Sequence, residues 1–87
     1  MTDNNPEVDY MGNKRWYKDG MYHREDGPAV EHRDGWKGWW LNGLHHRDDG
    51  PAAVWANGYK EWWYKGKRLP CNTQEEFERL IKLKAFW

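Results

Sequence analysis

The chain has a single cysteine, Cys71, in 87 residues. An internal disulfide is therefore excluded, and a reducing compartment is the expected setting. Leucine, isoleucine and valine are scarce, so a core of the usual aliphatic kind is not available. Net charge is also missing, with 14 basic residues against 14 acidic ones. Binding to nucleic acid by charge alone needs a surplus of cations, and none is present. No apolar run is long enough for a membrane span or a signal segment, and no Asn-x-Ser/Thr acceptor occurs. A soluble, cytoplasmic protein with no membrane partner is expected. What the chain has instead is rings: eight Trp, five Tyr and two Phe make it 17% aromatic. That is too aromatic for a disordered chain, despite 32% charged residues. A domain this short buries only about 60–65% of the surface its unfolded chain exposes, and rings must supply most of it.

The sequence spells "HREDGPA" at 23–29 and "HRDDGPA" at 46–52. The echo is longer than seven letters. Residues 12–34 align without a gap on 35–57, with 10 of 23 positions identical, and a third copy starts at 58 and breaks off. Gly12/Gly35/Gly58, Trp16/Trp39/Trp62 and Gly20/Gly43/Gly66 recur in all three. A fixed period with matching glycines signals stacked units.

Within each unit the signals are those of β-structure. Asp34-Gly35 and Asn57-Gly58 read as two-residue hairpin turns, which need positive φ at both positions. Asp19-Gly20 and Asn42-Gly43 are further turn signals, and Pro28 and Pro51 each open a strand. Aromatic runs such as Trp39-Trp40-Leu41 and Trp62-Trp63-Tyr64 suit strands. After Pro70 the pattern turns helical. Thr73 and Glu76 form a capping box, and Phe77, Leu80, Ile81 and Ala85 share one face. The expected organisation is a disordered tail over 1–9, a β-repeat sheet over 10–70 and a capping helix within 71–87.

The 23-residue period and the pattern W-x-x-x-G-x-x-H-R-x-D-G-P-A resemble a MORN-type repeat, in a variant found in small proteins of bacteriophages and large DNA viruses. The likeness covers residues 10–69. It implies a mainly β fold: a single-layer antiparallel sheet of tandem hairpin repeats, here with one C-terminal helix as cap. One departure stands out, since the ordinary pattern has Gly after the His where this chain has Arg24 and Arg47. The family's loop geometry and its lipid or scaffold roles do not carry over.

Pairing across two-residue turns at Asp34-Gly35 and Asn57-Gly58 places Arg33 opposite Trp36, Val30 opposite Trp39 and Ala53 opposite Trp62. One face then holds Trp16, Val30, Trp39, Leu41, Ala53, Trp55, Trp62 and Tyr64, the seat for the helix. The other holds Tyr17, Arg33, Trp36, Trp40, Tyr59 and Trp63, together with Arg24 and Arg47 if pairing continues past the turns. Its five rings, half covered, leave about 400–600 Å² of apolar surface, the size of a functional patch. The His-Arg-x-Asp loop has two readings. Its cations grip phosphate or carboxylate, or each Arg pairs with an Asp and stacks on a Trp as part of the fold.

Catalytic and metal readings are poor. His45 and His46 point to opposite sides of a strand, His23 and His46 lack a third ligand, and Cys71 has no base partner. No cofactor is implied. The leading expectation is a non-enzymatic viral accessory protein that binds and blocks a host protein, such as an anti-phage defence component. Tyr17, Trp36, Trp40, Tyr59, Trp63, Arg24, Arg33 and Arg47 form the partner face, since Trp, Tyr and Arg dominate interface hot spots. The alternatives are a nucleotide or single-stranded nucleic-acid sponge that stacks bases on the rings, and a structural protein that self-associates as a homodimer.

Overall fold

The computed structural model describes residues 5–83. Eleven short antiparallel strands and one helix make up these residues. The first hairpin joins β1 (Glu7–Val8) to β2 (Lys14–Arg15), and the next joins β3 (Tyr17–Lys18) to β4 (Met21–Tyr22). The unit then repeats as β5 (Val30–Glu31), β6 (Lys37–Gly38), β7 (Trp40–Leu41) and β8 (Leu44–His45). It closes with β9 (Ala53–Val54), β10 (Lys60–Tyr64), β11 (Lys67–Leu69) and the helix α1 (Gln74–Leu83). Seven strands form one sheet in the order β1-β2-β5-β6-β9-β10-β11, while β3-β4 and β7-β8 continue it as two-stranded flaps. The molecule measures 41 × 32 × 16 Å, a slab one sheet thick. Residues 7–8, expected in the tail, are the first edge strand; residues 1–4, and Ala85 of the expected helix face, lie outside the described residues.

The two-residue turns are not at the dipeptides to which the sequence reading assigned them. Asp19-Gly20, Asn42-Gly43 and Lys65-Gly66 are the two-residue turns, with φ of 53 and 78, 51 and 79, and 50 and 83°. They pair Lys18 with Met21, Leu41 with Leu44 and Tyr64 with Lys67. Asp34-Gly35 belongs instead to a three-residue loop, in which His32 N–H donates to Trp36 O (2.8 Å) and Gly35 N–H donates to His32 O (3.0 Å). Gly35 has φ 101°, the left-handed position of a turn closed by a bulge. Loops 10–12 and 56–58 are built the same way.

That extra residue slips the register by one. Val30 pairs with Gly38, not Trp39, and Ala53 pairs with Glu61, not Trp62. A one-residue slip moves a strand's side chains to the other face. Val30, Ala53 and Trp55 therefore leave the helix-covered face to which the sequence reading assigned them. Ala29 and Ala52 take their places, and the backbone bonds Trp16 N–H to Ala29 O and Trp39 N–H to Ala52 O continue the register. The row across that face reads Trp16, Ala29, Trp39, Ala52, Trp62, so each large ring lies beside a small neighbour.

The helix covers the last ring of that row. Glu76 N–H donates to Thr73 Oγ1 (3.1 Å), and Glu76 Oε1 accepts from Asn72 N–H (3.1 Å), a capping box displaced by one residue. Phe77 is fully buried against Trp62, Leu69 and Cys71, with Tyr64, Leu80 and Ile81 around them. Gln74 pins the helix by accepting from Trp62 Nε1 (2.8 Å) and donating to Asp48 O (3.1 Å). Two substitutions test this packing. Phe77→Ala should cost about 3–5 kcal/mol in urea unfolding. Gly38→Ala should cost about 1–3 kcal/mol by overpacking, because a Cβ there meets the Trp40 ring at 2.3 Å and the Trp36 ring at 2.6 Å.

Candidate functional site

The repeated loop is best understood atom by atom. In the first copy the Arg24 guanidinium lies 3.8 Å over the Trp16 ring, and in the second Arg47 lies 4.0 Å over Trp39. Arg24 Nε donates to Asp26 (3.0 Å), and its Nη1 donates to Pro28 O (3.1 Å) and Glu31 (3.0 Å). Arg47 matches it through Asp49 (3.0 Å) and Pro51 O (3.1 Å). Gly27 and Gly50 make room, since a Cβ would meet the guanidinium carbon at 3.0 and 2.7 Å. His23 Nδ1 accepts from Asn42 N–H (2.8 Å), and His46 Nδ1 accepts from Lys65 N–H (2.9 Å), so each His holds the following unit. Both rings therefore carry their proton on Nε2. That proton faces Asp48 at 3.1 Å in His46; in the buried His23 it faces Glu25 at 3.5 Å without forming a hydrogen bond.

Of the two readings of this loop, the geometry matches the one in which each Arg pairs with an Asp and stacks on a Trp. The Asp carboxylates take the guanidinium. Arg24 and Arg47 consequently lie on the Trp16/Trp39/Trp62 face, opposite the partner face to which they were assigned. Arg33 is corrected as well: the bulge puts it in the exposed loop, and His32 takes the place opposite Trp36, with ring centroids 5.0 Å apart.

The other five expected residues do come together. Tyr17, Tyr22, Trp40, His45 and Trp63 form one rail of rings, with successive centroids 5.2, 5.2, 4.3 and 4.6 Å apart. His32, Trp36, Trp55 and Tyr59 form a second rail, at 5.0, 6.0 and 5.0 Å. Trp36 and Trp40, 6.0 Å apart, join the two. Val30, Gly38 and Ala53 form the floor beneath them. Eight of these rings are half-buried, and Tyr59 is 48% exposed. Glu61 ties the far end, accepting from Trp63 Nε1 (3.1 Å) and Tyr59 OH (3.3 Å), while Arg68 donates to Tyr59 OH (3.0 Å).

Four of the nine rings, Tyr22, His32, His45 and Trp55, were not assigned to this face from the sequence. The repeat contained the signal. Tyr22 and His45 are one period apart, as are His32 and Trp55, so each pair occupies one column. His45 is the centre of the first rail, stacked on Trp40 at 11° between planes, and its Nε2 donates to Ala52 O (2.9 Å). Burial holds its pKa below the ordinary 6.5, against smaller upward pulls from Ala52 O and Glu61.

Among the described residues no three His, Cys, Asp or Glu side chains are placed to hold a metal ion. No described helix is long and apolar enough to cross a membrane. No family model matches the chain, and neither a curated protein nor a solved structure does.

The depressed pKa of His45 sets a pH test. The unfolded imidazole binds a proton at about 6.5 while the folded one resists it, so the contribution is full above that value. It is lost as pH falls from there toward the folded pKa. The melting temperature should fall across that window in the native protein, and the fall should be shallower in His45→Phe, which keeps a ring but cannot ionise.

Proposed function

We propose that this protein is a non-enzymatic binding module that docks another protein on the face made by the two ring rails. The observation that supports this best is an asymmetry of cover. The helix and the Arg loops cover Trp16, Trp39 and Trp62, whereas no described element lies over the nine rings of the other face. Their composition is that of interface hot spots, and Gly38 keeps the floor between the rails flush. The groups that would serve catalysis are committed elsewhere. His23 and His46 accept backbone N–H groups, His45 donates to a carbonyl, and burial pushes the Cys71 thiol pKa up. The resemblance of the repeat extends this reading to a viral accessory protein that blocks a host protein, of the anti-CRISPR or anti-restriction kind, acting in the host cytoplasm.

The same geometry weighs against the sponge reading. Arg24 and Arg47, the cations meant to hold phosphate, are on the opposite face. The first rail's rings already stand at stacking distance from one another, which leaves no slot for a base. Self-association would use the same open face as a host partner.

Affinity purification of the tagged protein from bacterial lysate should yield a stoichiometric host protein. Tyr59→Glu, at the exposed end of a rail, should lower the melting temperature slightly, through the lost Trp55, Glu61 and Arg68 contacts, and cut capture by the still folded protein about tenfold, ~1.4 kcal/mol. Trp40→Ala with Trp63→Ala should abolish capture, with the β-spectrum as control for folding. Undiminished capture by all of these would remove the rails as the docking surface. Co-eluting material with base absorbance would favour the sponge, and a concentration-dependent mass without a partner would favour the homodimer.

A further inference from the structure

The first bulge loop departs from the other two in a way the fold does not need. Loops 10–12, 33–35 and 56–58 are equivalent, one period apart, so Tyr10 corresponds to Arg33 and Ala56, and Met11 to Asp34 and Asn57. In the later loops the side chain at the middle position holds the turn. Asp34 Oδ1 accepts from Trp36 N–H (3.0 Å), and Asn57 Oδ1 accepts from Tyr59 N–H (3.0 Å). Met11 cannot do this. Asp9 does it instead, from the column that carries His32 and Trp55 in the other units. Its Oδ1 accepts from Met11 N–H (2.9 Å) and Asn13 N–H (3.0 Å), and its Oδ2 accepts from Asn13 Nδ2 (3.1 Å) and Arg15 (3.2 Å). These bonds draw the Asp9 pKa down and fix the loop.

Positions 10 and 11 are thereby released from any structural duty, and the chain places Tyr and Met there. Tyr10 is 98% exposed and Met11 52%. Tyr10 therefore buries almost nothing in the monomer, and Met11 leaves about half of its side chain in water. Arg33 is beside them, its Cδ 3.8 Å from where a Cβ on Gly12 would lie, and it makes no ion pair among the described residues. Met11, Asn13, His32, Arg33 and Asp34 line one cleft, and His32 packs against Trp36 with ring centroids 5.0 Å apart, so the loop is continuous with the ring rails.

We infer that Tyr10, Met11 and Arg33 form the anchor by which the protein plugs into its partner, a protein whose surface offers an apolar pocket bordered by a carboxylate. Tyr10 and Met11 fill the pocket, and the Arg33 guanidinium meets the acid. Aromatic residues, Met and Arg are the types enriched at such contacts. The Asp9 network holds the loop in shape before binding, which lowers the ordering cost. This inference rests on the reading of the protein as a docking module and names the point of attachment.

The test uses the captured partner, identified and then purified, with the full-length protein. Mild peroxide oxidises exposed methionines, and Met21, 45% exposed on the opposite edge, is the internal reference. In the complex Met11 should be protected while Met21 still oxidises. Tyr10→Ser should weaken binding about thirtyfold or more, and Arg33→Glu about tenfold, both with unchanged melting temperature. If the partner binds but Met11 oxidises as in the free protein and Tyr10→Ser binds like the native chain, the anchor is refuted while the rail surface stands. If the only partner is a second copy, the inference fails in its choice of occupant. If nothing binds the native protein, both readings fall.

Discussion

A sheet one layer thick has two faces and no second sheet to cover either, and the rest of this structure answers that constraint. An apolar face left in water would forfeit most of the free energy that folds a chain of this size. The two faces are covered by different means. On one, a cation is laid over each Trp of the repeat until the helix takes over. On the other, rings shield rings, standing along the sheet at distances at which each covers its neighbour's face. Leu, Ile and Val are scarce because rings do most of the covering; the few that are buried lie under the helix, at Leu69, Leu80 and Ile81, and in the floor at Val30.

The His-Arg-x-Asp-Gly-Pro segment serves the first solution and joins the units as well. His supplies an acceptor for the next unit, and Arg supplies a lid for the ring. Asp gives the counter-charge, Gly leaves the space and Pro offers its carbonyl. Arg24 N–H and Arg47 N–H also donate to Trp40 O and Trp63 O in the unit that follows (both 3.2 Å). In the third unit the same columns hold Leu69 and Pro70. Leucine has no acceptor for a following backbone, and proline has no N–H to give. The third unit thus cannot recruit a fourth by the bonds that join the first three. Leu69 turns inward instead and becomes core for the helix.

Much of this was legible in the residues, and where it was not, one turn explains the loss. The repeat, the β-strands, the helix with Thr73 and Glu76, and the grouping of Tyr17, Trp36, Trp40, Tyr59 and Trp63 follow from period and alternation. Asp34-Gly35 misled because Asp-Gly serves both a two-residue turn and a three-residue loop with a bulge. Only the second has its Gly as the third loop residue, and nothing in the dipeptide distinguishes them. One residue of slip then exchanged Val30 for Ala29, and Trp55 changed faces with it. Arg24 and Arg47 were misplaced for a different reason. After Tyr22 the chain leaves the ladder to cross over Trp16, and no alternation rule describes a crossing loop.

Because consecutive units are joined by the same few backbone and imidazole bonds, the sheet is indifferent to how many middle units it contains. Another copy of residues 35–57 set between the second unit and the last would meet the same donors and acceptors on both sides. The slab would lengthen by two strands, roughly 10 Å, and extend both rails without altering either end. A lineage with this chain has a means of changing the reach of its aromatic face in fixed steps, by duplicating a segment rather than by redesigning a surface.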